Sequence, residues 1–209
     1  VIGFQEKPSE PKPLPDKPDT CFGSMGIYIF NKDILLDVLG SVPQEQRLRD
    51  FGKDVIPLML DSFRVFAYNF IDENKKEAQY WKDVGTIDAY YEANMDLVSV
   101  SPVFNLYDPE WPIRTYQPQN PPAKFVFAQE FEGGRMGSAL DSMICGGSII
   151  SGGKVWRSIL SPRVRINSFS SVEDSILFEG VDVGRHCRIK NAIIDKYVQI
   201  PPRTEIGYD

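Results

Sequence analysis

The first 30 residues carry side chains suited to binding phosphate and hydroxyl groups. Lys7 lies in the FQEKP motif of residues 4–8, at the end of a predicted strand, where its ammonium group could meet a phosphate as a point charge. Ser24 and Tyr28 offer two hydroxyl groups four residues apart, and Gly26 between them allows close backbone approach. Taken alone, each motif also fits a bland interpretation, a solvated turn around Lys7 and an ordinary strand serine at Ser24.

Two further motifs place an acid beside an aromatic ring. Residues 50–54 read DFGKD, in which Asp50 could bind a hydroxyl group or simply cap the helix that follows. Residues 80–86 read YWKDVGT, so that Trp81 offers a stacking plane and Asp83 a carboxylate just before a helix. Together the four motifs supply the groups that a sugar phosphate requires. Asp83 could also be one ligand of an octahedral Mg²⁺, which usually takes one or two carboxylates plus substrate phosphates.

The elements that must position these residues alternate between strands and helices, which predicts an α/β layer domain. Asn31 and Thr86 can cap helices, and the helix after Thr86 has apolar positions 87, 90, 91, 94, 97 and 98 on one face. The predicted elements are strands over residues 1–8, 27–30 and 64–70, helices over residues 31–39, 55–60 and 87–97, and surface loops over residues 9–20 and 71–79.

The second half of the chain changes character. Residues 101–124 carry six prolines and four aromatic residues without a clean period, which predicts an ordered linker, extended to residue 138 by a glycine-rich turn. Beyond it, aliphatic residues recur in steps of six, six and five at positions 160, 166, 172, 177, 183, 189, 194, 200 and 206. These steps predict a parallel β-helix of triangular section, since a helical repeat would need steps of three and four. The predicted domains are therefore residues 1–100, a linker over 101–138, and a β-helix over 139–209.

Composition narrows the classes of function. A net charge of −6 argues against a general nucleic-acid surface, and no apolar run approaches the length of a membrane helix. Residues 1–10 lack the zones of a signal peptide, so we expect a soluble, cytoplasmic protein. Cys21, Cys145 and Cys187 lie far apart, which predicts three buried thiols and neither a disulfide nor a zinc site.

In this order and with a β-helix behind them, the motifs resemble those of bacterial glucose-1-phosphate adenylyltransferases, also called ADP-glucose pyrophosphorylases. The segments that carry the resemblance are residues 4–8, 24–28, 50–57, 80–97, 111–116 and 121–125. The resemblance covers essentially the whole chain and corresponds to the C-terminal half of the family. It implies the C-terminal part of a Rossmann-like nucleotidyltransferase α/β domain followed by a left-handed parallel β-helix.

The resemblance also implies roles for the candidate residues. Lys7 would bind the phosphate of glucose 1-phosphate, and Asp83 would be one of two aspartates that hold the catalytic Mg²⁺. In that family the sugar phosphate attacks the α-phosphorus of ATP and releases pyrophosphate, a reaction in which the protein mostly positions reactants and neutralises charge. The sugar pocket would be lined by Glu6, Ser24, Tyr28, Asp50, Phe51 and Trp81.

The family's nucleotide loop and second metal aspartate belong to an N-terminal half, so we expect this segment by itself to hold a sugar-phosphate half-site without adenylyltransferase activity. In the resembling enzymes the β-helix supports a homotetramer and helps to form a site for anionic allosteric effectors. Lys196 matches a position where some members carry a regulatory arginine. The alternative for the basic residues between Arg163 and Lys196 is a solvated outward face.

Two other functions compete with this interpretation. A hexapeptide-repeat acyltransferase would use a β-helix histidine as base, and His186 is the single histidine in the chain. That function leaves the sugar-pocket motifs unexplained, and His186 is more simply an exposed coil residue. A regulatory subunit of the same enzyme, which keeps the fold and the anion site, is the second alternative.

Overall fold

The computed structural model of the chain describes residues 1–41, 50–72 and 77–208. It contains two compact units, which divide between Trp81 and Lys82. We call them unit 1 (Val1–Trp81) and unit 2 (Lys82–Asp209). The predicted loop over residues 71–79 lies partly outside the described residues. Within the described part of the chain, no helix is both long enough and apolar enough to cross a bilayer.

Unit 1 is organised by three helical segments. These are α1 (Lys32–Ser41), a π-helical turn (Phe51–Val55) and α2 (Ile56–Ser62). The amide side chain of Asn31 accepts a hydrogen bond from the main-chain nitrogen of Asp33 at 3.1 Å, as expected of a capping residue. Val38, Val55 and Met59 form the small core between the helices. The helices predicted in these two regions are confirmed.

The strands predicted in unit 1 are wrong for the described residues. Residues 1–8, 27–30 and 64–70 run without strand assignment, and Ile27 and Ile29 are 74% and 99% exposed instead of buried. The paired backbone in this unit consists of isolated contacts, such as the bridge between Ile71 and Ala78. An apolar run reports only a tendency to be buried, whereas a strand also requires a neighbouring strand to accept its hydrogen bonds.

Unit 2 begins with α3 (Ile87–Asp96), which the sequence predicts from residue 87 onward. Thr86 Oγ1 accepts a hydrogen bond from the main-chain nitrogen of Ala89 at 3.1 Å, so the predicted cap is confirmed. The predicted apolar face is confirmed only in part, because Ile87 is 77% exposed whereas Tyr90 and Tyr91 are half-buried. In the proline-rich segment that follows, the rings of Phe104 and Trp111 meet edge to face with centroids 5.9 Å apart.

The remainder of unit 2 is a parallel β-helix of three sheets, as the sequence predicts. One sheet contains β1 (Lys124–Val126), β4 (Ile149–Ser151), β7 (Arg165–Ile166), β10 (Asp182–Val183) and β13 (Gln199–Ile200). The second contains β2 (Ser138–Leu140), β5 (Lys154–Trp156), β8 (Ser171–Glu173), β11 (Arg188–Lys190) and β14 (Glu205–Ile206). The third contains β3 (Met143–Ile144), β6 (Ile159–Leu160), β9 (Ile176–Leu177) and β12 (Ile193–Ile194). Strand β1 lies inside the segment that the sequence assigns to the linker, because proline and aromatic content masked a strand only three residues long.

The predicted aliphatic positions form the interior of the β-helix. Leu160, Ile166, Val172, Leu177, Val183 and Ile189 have no exposed surface, Ile200 is 6% exposed, and Ile194 and Ile206 pack against them. Paired residues stand directly above one another, as when Ile176 pairs with both Ile159 and Ile193. Every coil therefore adds one aliphatic side chain to each of three stacked columns.

The three cysteines are free. Cys187 is fully buried within the β-helix and Cys145 is half-buried, but Cys21 is exposed. The prediction of three buried thiols is therefore wrong for Cys21. This residue follows the proline-rich surface segment of unit 1, where no apolar layer covers it.

Corners of the β-helix turn through residues in the left-handed backbone conformation. One corner repeats it on successive coils at Asp141, Arg157, Asp174 and Asn191, with φ between 42° and 48°. Among the described residues, nine of the ten positive-φ residues other than glycine occupy such corners of the β-helix, and the tenth is Lys7. These corners would be strained for most residues, and the stacked strands on either side hold them in place.

Along this corner, successive coils are tied together by an ion pair. Arg157 donates two hydrogen bonds to the Asp174 carboxylate, at 2.6 and 2.8 Å. These bonds hold the pKa of the Asp174 carboxyl group below its usual value, outweighing the opposing effect of partial burial. The same bonds raise the pKa of Arg157, so both partners indicate an ion pair that favours the charged state.

Replacing a leucine inside the columns should destabilise the β-helix much more than replacing one outside. We expect Leu177→Ala to lower the free energy of unfolding by about 3 kcal/mol, because it leaves a cavity in a fully packed interior. Leu140→Ala is the matched control, since Leu140 is 66% exposed, and should cost less than about 0.5 kcal/mol. Urea unfolding followed by circular dichroism measures both, and equal losses would contradict the assignment of the interior.

The Arg157–Asp174 ion pair should make the free energy of unfolding depend on pH in the acid range. A carboxyl group whose folded-state pKa is depressed stabilises the fold above its unfolded pKa of about 3.9 and loses this effect as pH falls through the folded pKa. We expect Asp174→Asn to cost about 1 kcal/mol at pH 7, since Arg157 is about half exposed. The difference from the wild type should persist down to about pH 4 and disappear only as the pH falls further, through the depressed pKa of the folded state. Thermal unfolding across pH measures this difference. Asp195→Asn is the control, because its carboxylate accepts from the adjacent main-chain nitrogen of Lys196 and should give a smaller, flatter difference.

Candidate functional site

The centre of the candidate site in unit 1 is the half-buried side chain of Tyr28. Its hydroxyl group shares a hydrogen bond of 2.8 Å with Ser24 Oγ, and its ring stacks on Phe51 with centroids 5.8 Å apart. Gly26 has φ of 71°, and its main-chain nitrogen donates to Ser24 Oγ at 3.3 Å, so the turn aims the serine at the tyrosine. The structure thus joins both predicted hydroxyl residues to the predicted aromatic residue of the DFGKD motif.

Phe30 completes an aromatic trio with Tyr28 and Phe51. Its ring centroid lies 6.1 Å from that of Tyr28 and 5.6 Å from that of Phe51. The sequence predicts Phe30 in a buried strand and does not predict this contact. Alternation from Tyr28 could have suggested it, because residues two apart in an extended segment point to the same side.

Two carboxylates lie beside this aromatic trio. Asp50 is the cap of the π-helical turn: its Oδ1 accepts from the main-chain nitrogen of Lys53 at 2.8 Å, while Asp54 Oδ2 accepts from that of Asp50 at 3.0 Å. The Glu6 carboxylate lies against the same turn. A Cβ atom added at Gly52 would collide with this carboxylate and would also approach Asp50 Oδ1. We call Glu6, Ser24, Tyr28, Asp50 and Phe51 the Tyr28 cluster.

Two of the predicted residues of unit 1 lie outside the described contacts of the Tyr28 cluster. Lys7 follows Glu6 directly and is exposed, with φ of 44°, an uncommon conformation for a lysine. Trp81, the last residue of unit 1, is 48% exposed. The exposed ammonium group of Lys7 and the exposed indole face of Trp81 are both accessible to a ligand.

Asp83 is the predicted metal ligand and belongs to unit 2. It is exposed, and its Oδ1 accepts from the main-chain nitrogen of Gly85 at 2.9 Å, which leaves Oδ2 free to bind a cation. Among the described residues no group of three or more His, Cys, Asp or Glu side chains forms a metal site. A single oriented carboxylate fits the role of one ligand in a Mg²⁺ shell completed by phosphates and water, but does not by itself make a site.

The basic residues of the β-helix are largely engaged with neighbours. Arg163 pairs with Glu179 at 2.5 Å and Arg188 with Glu205 at 3.0 Å, as expected for an outward face. Lys196 is exposed, and its ammonium group forms no ion pair within the part of the chain that the structure describes. His186 is also exposed, with its ring stacked on Phe169 at 4.9 Å between centroids.

Comparison with known proteins finds a matching family model for each of two parts of the chain. Residues 1–100 match the family model described as "Nucleotidyl transferase", and residues 121–209 match "GlmU-like, C-terminal hexapeptide". Proteins named glucose-1-phosphate adenylyltransferase from Rhodopirellula baltica, Koribacter versatilis and Paramagnetospirillum magneticum are 58%, 57% and 51% identical to it over its whole length. The chain covers 47%, 50% and 49% of these relatives, so it spans about half of their length. The chain is therefore a homologue of the glucose-1-phosphate adenylyltransferases that corresponds to about half of their length.

Proposed function

We propose that this chain forms the glucose 1-phosphate-binding part of an enzyme that makes ADP-glucose and pyrophosphate from ATP and glucose 1-phosphate. The observation that supports the proposal most directly is the Tyr28 cluster, in which hydroxyls, carboxylates and two stacked aromatic rings lie together in unit 1. Sugars are bound by this combination, because carboxylates and hydroxyls pair with sugar hydroxyls while aromatic faces cover the apolar ring carbons.

Within this proposal each residue has a chemical task. Glu6, Ser24, Tyr28 and Asp50 accept or donate hydrogen bonds to the glucose hydroxyls, and Phe51 and Trp81 cover the sugar ring. Lys7 binds the phosphate, and so keeps the attacking oxygen oriented while reducing the repulsion between two anionic substrates. Such positioning and charge neutralisation are the protein's main contributions to phosphoryl-type transfer.

Asp83 is proposed as one ligand of a catalytic Mg²⁺. When bound, the ion would neutralise charge that develops on the phosphates. The hydrogen bond from Gly85 fixes the rotamer of Asp83 and leaves one carboxylate oxygen for the metal. ATP would be bound mostly by residues outside this chain, in keeping with its share of the relatives' length.

The remaining parts of the proposal concern assembly and control. We infer a cytoplasmic homotetramer with glycogen synthesis as its context, and an exposed Lys196 that binds anionic effectors. The exposed ammonium group of Lys196 supports effector binding, although lysine lacks the planar guanidinium with which arginine binds a phosphate through two hydrogen bonds. A regulatory subunit would keep these features but would lack the catalytic use of Lys7 and Asp83.

Loss of the Lys7 charge should weaken binding of the phosphorylated sugar. We expect Lys7→Gln to raise the Kd of the chain for glucose 1-phosphate about tenfold, a loss of about 1.4 kcal/mol, because a charge-assisted contact to the phosphate disappears. Isothermal titration measures the affinity. Lys12→Gln, which removes the charge of another exposed lysine, in the proline-rich segment, is the control and should leave the Kd unchanged. Equal losses in both variants, or no binding by the wild type, would contradict the proposal.

The chain alone should bind the sugar phosphate without converting it. Incubation of the purified chain with ATP, glucose 1-phosphate and Mg²⁺ is expected to release no pyrophosphate above a protein-free blank, because the greater part of the ATP site is proposed to lie elsewhere. A coupled phosphate assay with inorganic pyrophosphatase measures the product. Steady formation of ADP-glucose would show that these 209 residues hold a complete site.

A further inference from the structure

Helix α3 rests on the β-helix through two consecutive tyrosines. The Tyr91 hydroxyl donates to the main-chain oxygen of Asp174 at 2.7 Å, a contact between residues 83 positions apart. The Tyr90 ring meets that of Phe178 edge to face, with centroids 6.3 Å apart. We call Asp174 and Phe178 the docking corner. Both tyrosines are half-buried, so the helix is held on one side by a polar and an aromatic contact.

Asp174, the residue of the docking corner that binds Tyr91, is itself held by several contacts. The main-chain nitrogen of Asp174 donates to the Trp156 oxygen at 3.1 Å, and its carboxylate is gripped by Arg157. The next residue, Ser175, is fully buried and bonds through its main-chain nitrogen to Ser158 Oγ at 3.1 Å. The main-chain oxygen that accepts the hydrogen bond from the Tyr91 hydroxyl therefore belongs to a residue with little freedom to move.

The phenol of Tyr91 is suited to act as a permanent donor. Partial burial, and after it the neighbouring Asp174 carboxylate, raise the pKa of Tyr91 above its ordinary value, despite the opposing charge of Arg157. A tyrosine that keeps its proton throughout the physiological range can donate without interruption. The contact is thus independent of ordinary changes in pH.

An unbroken series of contacts runs from α3 back to Asp83. Thr86 caps the helix, and the Asp83 carboxylate bonds to the nitrogen of Gly85 within the turn that precedes the cap. On the other side of Asp83, Lys82 Nζ reaches back to Glu92 Oε2 on the helix at 3.4 Å. The short segment of residues 82–86 is therefore held against α3 at both ends.

We propose that Tyr91 is a positioning residue that fixes the segment of residues 82–86, and with it the Asp83 carboxylate, to the docking corner of the β-helix. The β-helix then acts as a rigid base for an acid that the chain presents to a divalent cation. The metal-binding role of Asp83 rests on the proposed function, whereas the docking of the segment does not.

The test compares Tyr91→Phe with Tyr90→Phe. The first substitution removes the hydroxyl that bonds to Asp174, and the second removes a hydroxyl while keeping the ring on Phe178. In hydrogen–deuterium exchange of the chain, we expect residues 82–97 to exchange about fivefold faster in Tyr91→Phe, the factor that loss of one average hydrogen bond produces. Residues 171–194 should exchange as in the wild type, which shows that the β-helix remains folded, and Tyr90→Phe should change neither region.

The second readout is Mn²⁺ binding, followed by electron paramagnetic resonance with glucose 1-phosphate present. Tyr91→Phe should weaken binding about threefold, whereas Tyr90→Phe should not. Unchanged exchange in Tyr91→Phe would overturn the inference. Unchanged Mn²⁺ affinity in Tyr91→Phe would do the same if Asp83→Asn lowers that affinity. If exchange quickens and Asp83→Asn binds Mn²⁺ like the wild type, docking is supported and the proposed metal role of Asp83 fails.

Discussion

The 17-residue register of the β-helix is the constraint on which the rest of unit 2 depends. Parallel strands in register stack equivalent residues directly, so the type of side chain at a position on one coil must be compatible with that at the same position on the next coil. Inside, this gives dry aliphatic columns. Beside them, a serine ladder runs from the half-buried Ser142 to the buried Ser158 and Ser175, and each hydroxyl accepts a hydrogen bond from a main-chain nitrogen on the following coil at 3.1 to 3.2 Å. No buried polar side-chain atom among the described residues lacks a partner, so the period satisfies polar and apolar groups together.

The same register fixes the positions of the residues at the corner that contains Arg157 and Asp174. A residue with φ near 45° at each coil of one corner brings Arg157 and Asp174, on adjacent coils, into bidentate contact. It also turns the Asp174 carbonyl toward the hydroxyl of Tyr91. A left-handed residue alone would be unfavourable, but here the stacked strands on both sides determine its conformation. Helix α3 thus uses a surface that exists only because the coils beneath it repeat.

How much of this could be predicted from the sequence depended on how local each interaction is. The β-helix was predictable because its period recurs along the chain, and the caps at Asp50 and Thr86 because a capping residue and its partner lie within three residues. The strands of unit 1 were not, since pairing is decided by a neighbour whose identity the apolar pattern does not contain. The contact of the Tyr91 hydroxyl with the β-helix could not be predicted either. Its partner is a main-chain oxygen 83 residues away, and any residue type supplies such an oxygen.

Asp50 and Asp83, the two acids proposed to bind ligands, are each held by a hydrogen bond from a nearby main-chain nitrogen. Asp50 Oδ1 accepts from the nitrogen of Lys53, and Asp83 Oδ1 from that of Gly85, so in each case one oxygen is engaged by the main chain. The structural and the functional interpretations of Asp50 therefore do not exclude each other. Such a hydrogen bond restrains the side-chain rotamer, so a ligand that binds the second oxygen meets a smaller entropic cost of ordering the side chain. The same reasoning makes a glycine two residues after Asp83 informative, because a Cβ at Gly85 would lie only 3.0 Å from the oxygen that its own nitrogen binds.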